Sequence, residues 1–225
     1  MALADYQNFV KRRQTGEPVA YITGHREFYG YDFEVTPDVL IPRPDTELLV
    51  EAALKRLPTD RPLRVIDVCT GSGCVGIALA RERPNLSVVA IDLSAEAAQV
   101  AQRNALRHQV AHRVEVRVGN LLDPVLGEGP SFDLLVANPP YIKPEAYPVL
   151  MPEVLNFEPQ MALLGMGAEG LGHHEQILQK ACKVLKKGAF VLMEIGYDQG
   201  PFFEGIGKVM QDLAGQDRVV EIVCG

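Results

Sequence analysis

Arg64-Val65-Ile66-Asp67-Val68-Cys69-Thr70-Gly71-Ser72-Gly73-Cys74-Val75-Gly76-Ile77 places a strand, a glycine loop and a helix in one short stretch. Arg64 to Cys69 is apolar and β-branched, as a buried strand requires. Cys74 to Arg83 reads as helix. Between them Gly71, Gly73 and Gly76 match G-x-G-x-x-G literally, and Asp92 follows 21 residues after Gly71, at the end of the next predicted strand. A carboxylate there can hold a ribose hydroxyl pair. The glycines alone suit NAD, S-adenosylmethionine or a tight turn with no ligand. Asp67, inside the strand, separates the first two: a carboxylate can pair with the α-ammonium of a methionine moiety, but repels a pyrophosphate set against the helix start.

Working outward, strand and helix alternate. Strands are expected at Ser87–Leu93, Val114–Val118, Phe132–Ala137, Phe190–Ile195 and Val219–Val223. A helix capped by Ser94 runs from Ala95 to about His108, and another spans about Leu171 to Leu185, stopped by Gly188 as a left-handed C-terminal glycine would stop it. Upstream, a short helix fits Asp5–Gln14. The aromatic alternation of Phe28–Thr36 around Gly30 predicts a hairpin, and Asp45 or Thr46 caps a helix running to about Leu57. Continuous apolar strands alternating with helices predict a doubly wound α/β domain with a mostly parallel sheet, its ligands beyond the carboxyl ends of the strands. Asn120, after the third of these strands, stands where a loop flanks an adenine or simply turns.

Asn138-Pro139-Pro140-Tyr141 follows the fourth strand directly, beside the glycine loop. Two prolines remove two backbone donors and leave carbonyls free. The Asn138 side-chain oxygen and the Pro139 carbonyl can accept both hydrogens of an amide or aromatic amine. Such a nitrogen is a poor nucleophile, and this geometry aims its lone pair at an electrophilic methyl while stabilising the positive charge that grows on it. Tyr141 can stack on a planar substrate group.

Composition sets outer bounds. The chain has 225 residues, 47% of them hydrophobic, and a net charge of −7, an ordinary globular composition. No apolar run reaches the ~18 residues that span a bilayer, and Met1-Ala2-Leu3-Ala4-Asp5 lacks a secretory leader pattern. A pI near 5.3 argues against stable duplex DNA binding by broad phosphate neutralisation. Cys69, Cys74, Cys182 and Cys224 form no Cys-x-x-Cys pair, so four reduced thiols in a cytoplasmic protein and no metal site are expected. Adjacent His173 and His174 point apart on a helix and read as solvated or capping residues. Lys11-Arg12-Arg13 reads as a solvated face or as an electrostatic contact to a partner. Residues 142–170 form a long connection suited to walling a cleft.

Several phrases carry a resemblance: Gly16-Glu17-Pro18-Val19-Ala20-Tyr21-Ile22-Thr23-Gly24; Val39-Leu40-Ile41-Pro42-Arg43-Pro44-Asp45-Thr46-Glu47; Asn138-Pro139-Pro140-Tyr141-Ile142; and Glu194-Ile195-Gly196-Tyr197-Asp198-Gln199-Gly200. The chain resembles the HemK/PrmC family of release factor glutamine N5-methyltransferases from about Tyr6 to Val220. The resemblance implies a class I, Rossmann-like methyltransferase with a seven-stranded-type sheet. It implies transfer of methyl from S-adenosyl-L-methionine, leaving S-adenosyl-L-homocysteine, to the glutamine amide in the Gly-Gly-Gln loop of a peptide chain release factor. It puts the cofactor loop on Cys69, Thr70, Gly71, Ser72 and Gly73, the ribose acid on Asp92, the adenine-flanking position on Asn120, and the substrate tetrad on Asn138, Pro139, Pro140 and Tyr141. Cys69 stands where the family often has glycine. Arg43 and Glu47 either shape the cofactor lid or form a solvated helix start. Only ~15 residues precede the Gly-Glu-Pro-Val-Ala-Tyr phrase, so the family's helical N-terminal domain is expected to be largely absent. Residues 1–36 are then a remnant with a hairpin, and residues 37–225 the catalytic domain. Gly200–Gln211 looks too short for helix plus strand, predicting a clipped sheet edge.

The alternatives are an N6-adenine or N4-cytosine type nucleic-acid amino-methyltransferase, which shares Asn138–Tyr141; an NAD-dependent oxidoreductase, which leaves Asp67 and that tetrad idle; and a binding module that keeps the fold as scaffold.

Overall fold

The computed structural model describes residues 3–225. Helix α1 (Leu3–Gln14) buries none of its residues, and the chain turns through Gly16 into the short α2 (Val19–Thr23). The hairpin forms around Gly30 as expected, with strands β1 (His25–Phe28) and β2 (Tyr31–Glu34), its first strand beginning three residues earlier. Its two turn residues, Tyr29 (φ 53°) and Gly30 (φ 75°), are both left-handed, which suits a two-residue hairpin turn. A 3-10 turn over Pro44–Thr46 leads into α3 (Glu47–Arg56). Neither Asp45 nor Thr46 caps this helix as expected; Thr46 is buried and its hydroxyl is used elsewhere.

The remainder alternates strand and helix, with α6 and β8 beyond the expected elements: β3 (Leu63–Val68), α4 (Cys74–Glu82), β4 (Leu86–Asp92), α5 (Ala95–Arg107), β5 (Val114–Val118) and β6 (Phe132–Ala137), then α6 (Pro152–Phe157), α7 (Gly172–Val184), β7 (Leu185–Glu194), β8 (Lys208–Gln211) and β9 (Asp217–Val223). Ser94 caps α5, its hydroxyl accepting from the Ala97 amide at 3.0 Å. The seven-stranded sheet has the order β5-β4-β3-β6-β7-β9-β8, parallel except for the antiparallel β9.

Alternate residues of one strand serve opposite layers. Val65 packs toward α3, α4 and the hairpin residues Phe28 and Phe33, while Ile66 and Val68 pack toward α7 through Ile177, Ala181 and Val184.

Two boundaries and one edge differ from expectation. Helix α7 ends at Val184, and Gly188 lies inside β7 at φ 78°, donating to the Cys224 carbonyl at 2.8 Å. It relieves a bulge where β7 slips against β6, so strand pairing rather than a helix cap uses this glycine. The Gly200–Gln211 edge is not clipped: a 3-10 turn over Gly200–Phe203 replaces a helix, Phe203 enters the core, and β8 completes the sheet. Cys182 and Cys224 are joined in a disulfide with Cα atoms 5.6 Å apart, which corrects the expectation of four free thiols. Burial pushes the thiol of free Cys74 up to about 12. No described helix is long and apolar enough to cross a membrane.

Candidate functional site

The sheet order reverses between β3 and β6, the two strands whose carboxyl ends carry the motifs singled out in the sequence. Val68 pairs with Ala137, so Cys69 and Asn138 leave neighbouring strand tips. A cleft opens there. Asp67, Cys69, Thr70, Gly71, Ser72, Asp92, Asn120, Asn138 and Pro140 all line it. Gly73, Pro139 and Tyr141 are not among its lining residues. Gly73 instead starts α4 at φ 81°. The Tyr141 hydroxyl donates to buried Glu194 at 3.1 Å.

The floor is acidic and braced. Asp67 Oδ2 accepts from the Thr70 hydroxyl at 2.6 Å and from the Gly76 amide at 3.0 Å. A side chain at residue 76 would bring its Cβ within 2.8 Å of that same oxygen, so only glycine lets the helix start sit so close. Burial raises the Asp67 carboxyl to about 7, against the pull of those two donors, and neighbouring Asp92 adds to the rise. Asp92 Oδ2 accepts from the Gly71 amide at 2.8 Å, and Oδ1 from the Ser94 amide at 3.0 Å. Burial raises Asp92 too, opposed by the amides of Gly71, Ser94 and Leu93. Cys69 is left-handed at φ 57°, a conformation that favours glycine, which gives the family's preference there a physical reason.

Several side chains that shape this cleft were not legible as such in sequence. Asn104, fully buried in α5, donates to the Ser72 carbonyl at 2.8 Å and to the Glu34 carbonyl at 3.0 Å, tying the glycine loop to the hairpin. Arg43, on the cleft wall, pairs with Glu158, whose Oε2 also accepts from the Ile41 amide at 3.2 Å. Glu47 accepts from the Tyr29 amide at 3.0 Å, so neither Arg43 nor Glu47 is a solvated helix start. Residues 142–170 do wall the cleft, through Pro159, Met161 and Ala162. Gln199 anchors that wall, donating to the carbonyls of Tyr141 and Glu169 at 3.0 and 2.7 Å.

The two histidines differ in exposure, His173 being half-buried and His174 buried. His173 lines the cleft and donates from Nδ1 to the Pro140 carbonyl at 3.3 Å, while burial lowers its proton affinity. His174 is buried, donates from Nε2 to the Glu194 carbonyl at 2.8 Å, and is lowered to about 4 by desolvation. Arg12 pairs with Glu17, and Arg13 with Glu153 at 3.0 Å. Among the described residues no three His, Cys, Asp or Glu side chains cluster to hold a metal.

A buried carboxylate, Asp67, and a half-buried one, Asp92, beneath a glycine loop ask for a ligand with a cationic group and hydroxyl donors. S-adenosylmethionine has both, and the residues present fit it: Asp67 for the ammonium, Asp92 for the ribose, and the glycine loop against the methionine backbone. NAD fits less well, since its pyrophosphate would face Asp67.

The "Methyltransferase small domain" family model matches residues 44–155. A release factor glutamine methyltransferase of Koribacter versatilis is 44% identical over 223 residues, 96% of this chain and 78% of that protein. Among solved structures, the human hMettl16 catalytic domain in complex with a MAT2A 3'UTR hairpin aligns with TM-score 0.67 at 16% identity, over 91% of this chain and 80% of that one. An RNA methyltransferase of Salinibacter ruber in complex with S-adenosyl-L-homocysteine aligns with TM-score 0.50 at 19% identity, over 83% and 94%. At such identities these two structures show the shared fold alone.

Proposed function

We propose, from the premise that this chain belongs to the release factor glutamine methyltransferase family, a site-by-site account of how it methylates the glutamine amide of a peptide chain release factor. The observation that carries the account is the adjacency of Asn138 to the glycine loop across the paired tips of β6 and β3. Bound in the cleft, S-adenosylmethionine supplies an electrophilic methyl on a sulfonium.

The chain's own part is positioning. Asp67 and Asp92 hold the ammonium and ribose, and Asn120 flanks the adenine. Asn138 Oδ1 and the Pro139 carbonyl accept the two hydrogens of the glutamine amide. Held so, the nitrogen lone pair points at the methyl, and positive charge growing on nitrogen meets two oxygen dipoles. The proton leaves after transfer, so no strong base is required. Pro140 lines the cleft at the turn, and the ring of Tyr141, its hydroxyl bonded to Glu194, is the surface on which the planar amide stacks. Residues 37–225 are the proposed catalytic unit, with Phe28 and Phe33 of the preceding hairpin seated in its core. A cytoplasmic location goes with a release factor as substrate.

The test is transfer of labelled methyl from S-adenosylmethionine to a release factor, to the same factor with its Gly-Gly-Gln glutamine changed to alanine, and to DNA. Label should enter the first only. Label that persists in the alanine factor defeats the glutamine assignment, and label in DNA favours the nucleic-acid reading.

A further inference from the structure

Two of the four residues in Asn138-Pro139-Pro140-Tyr141 have no N–H, so the turn has few donors of its own to hold it in place. Its carbonyls are held from outside instead. The Pro140 carbonyl accepts from His173 Nδ1 at 3.3 Å, and the Tyr141 carbonyl from Gln199 Nε2 at 3.0 Å. A carbonyl can only accept, so Nδ1 of His173 carries a proton. Among the described residues nothing donates to the carbonyl before these two, that of Pro139.

The two donors come from different elements. His173 lies in the first turn of α7 and lines the cleft, whereas Gln199 follows β7 and does not line it. Gln199 is 1% exposed. The second hydrogen of its Nε2 goes to the Glu169 carbonyl at 2.7 Å, and its Oε1 accepts from the Gly196 amide at 2.8 Å. The place is tight as well as bonded: a Cβ at residue 170, where φ is 75°, would stand 2.3 Å from the Tyr141 carbonyl oxygen. Helix α7, the far end of the 142–170 wall and the segment after β7 thus converge on the last two carbonyls of the turn.

The proline rings fix φ at residues 139 and 140, so the four residues shift nearly as one body. A displacement at Pro140 or Tyr141 is carried to Asn138 Oδ1 and the Pro139 carbonyl. Methyl transfer depends steeply on how these two oxygens aim the substrate nitrogen. We propose that His173 and Gln199 are positioning residues that clamp the Pro140 and Tyr141 carbonyls, and through them set the Asn138–Tyr141 turn for transfer. Neither supplies a reacting atom. The inference rests on the reading of this turn as the place where the glutamine amide is held.

Variants of both residues test it, each measured for kcat and KM with a release factor, for S-adenosylmethionine affinity by calorimetry and for melting temperature. His173→Leu removes the donor, and kcat should fall roughly tenfold, the weight of one oriented hydrogen bond. His173→Asn keeps an N–H close to the Nδ1 position and should recover most of that loss, which a packing role for the ring would not allow. Gln199→Glu keeps the size and the acceptor for the Gly196 amide but loses both hydrogens; kcat should again fall tenfold or more. In all three, KM and cofactor affinity should stay within about threefold. If Gln199→Glu does not fold, the half-buried His173 pair decides alone. Equal losses in His173→Leu and His173→Asn, a loss confined to KM, or cofactor affinity falling as far as kcat would overturn the proposal. Wild-type kcat in folded His173→Leu and Gln199→Glu beside an inactive Asn138→Ala overturns the clamp alone. Wild-type kcat in Asn138→Ala overturns the reading of the turn, and the clamp with it.

Discussion

Asp92 accepts the Gly71 amide on one carboxylate oxygen and the Ser94 amide on the other, at 2.8 and 3.0 Å, so the acid at the tip of β4 also clasps the glycine loop to the start of α5. Both oxygens act as acceptors. Asparagine supplies only one, and its NH2 would face an N–H. Asp92→Asn should therefore destabilise the protein almost as much as Asp92→Ala, by about 1–3 kcal/mol. Denaturant midpoints of the two variants check this; an unchanged midpoint for Asp92→Asn would show that the clasp contributes nothing.

Asp67 makes stability and cofactor binding respond to pH in opposite senses. Its carboxyl lies near 7 in the folded protein, far above the ordinary carboxylate range, chiefly because it is buried. Between about pH 4 and 7 the folded state holds a proton that the unfolded state has released. Stability from this group therefore falls as pH rises through that window and levels off above it. The charged form is the one that pairs with an ammonium, so S-adenosylmethionine affinity should rise from pH 6 to pH 8. Melting curves and calorimetry across this range should show both trends in the wild type and both weakened in Asp67→Asn, where raised Asp92 still contributes.

Asn138→Ala should lower turnover on a release factor by roughly 100-fold or more while S-adenosylmethionine affinity changes little, since the lost acceptor works mainly in the transition state. Parallel collapse of cofactor affinity would mean that Asn138 serves the cofactor rather than the substrate.

The Arg43–Glu158 pair joins the cleft's two walls over 115 residues of sequence. The Glu158 side chain is only 1% exposed, so removing its partner strands a buried charge. Arg43→Ala should cost about 3 kcal/mol, and Glu158→Gln less, because glutamine can still accept from the Ile41 amide. If chemical denaturation ranks the two in the opposite order, the pair is not what holds the walls together.

Much of the fold was legible locally. The strand, glycine loop and helix around Gly71, the Ser94 cap and the apolar strands are set by backbone propensity and side-chain periodicity within a few residues. Where a local signal had two outlets, the wrong one could be read. Gly188 offers a left-handed φ to a helix end or to a bulge, and pairing of β7 with β6 took it for the bulge. Thr46 can cap a helix or serve a neighbour, and burial against β6 and β7 directed its hydroxyl to Asn138. The disulfide joins residues 42 apart, close only because α7 and the end of β9 cover the same core.

From its sequence alone this protein was bound to form a parallel sheet with a glycine loop on one strand and Asn138-Pro139-Pro140-Tyr141 on another, because such elements are encoded by neighbours along the chain. Which strand tips stand side by side, that the Tyr141 hydroxyl meets Glu194, that Arg43 and Thr46 line the cleft, and that Asn104 braces its glycine loop were decided only on folding. Those contacts depend on strand order and register, through which residues distant in sequence come to share one buried volume.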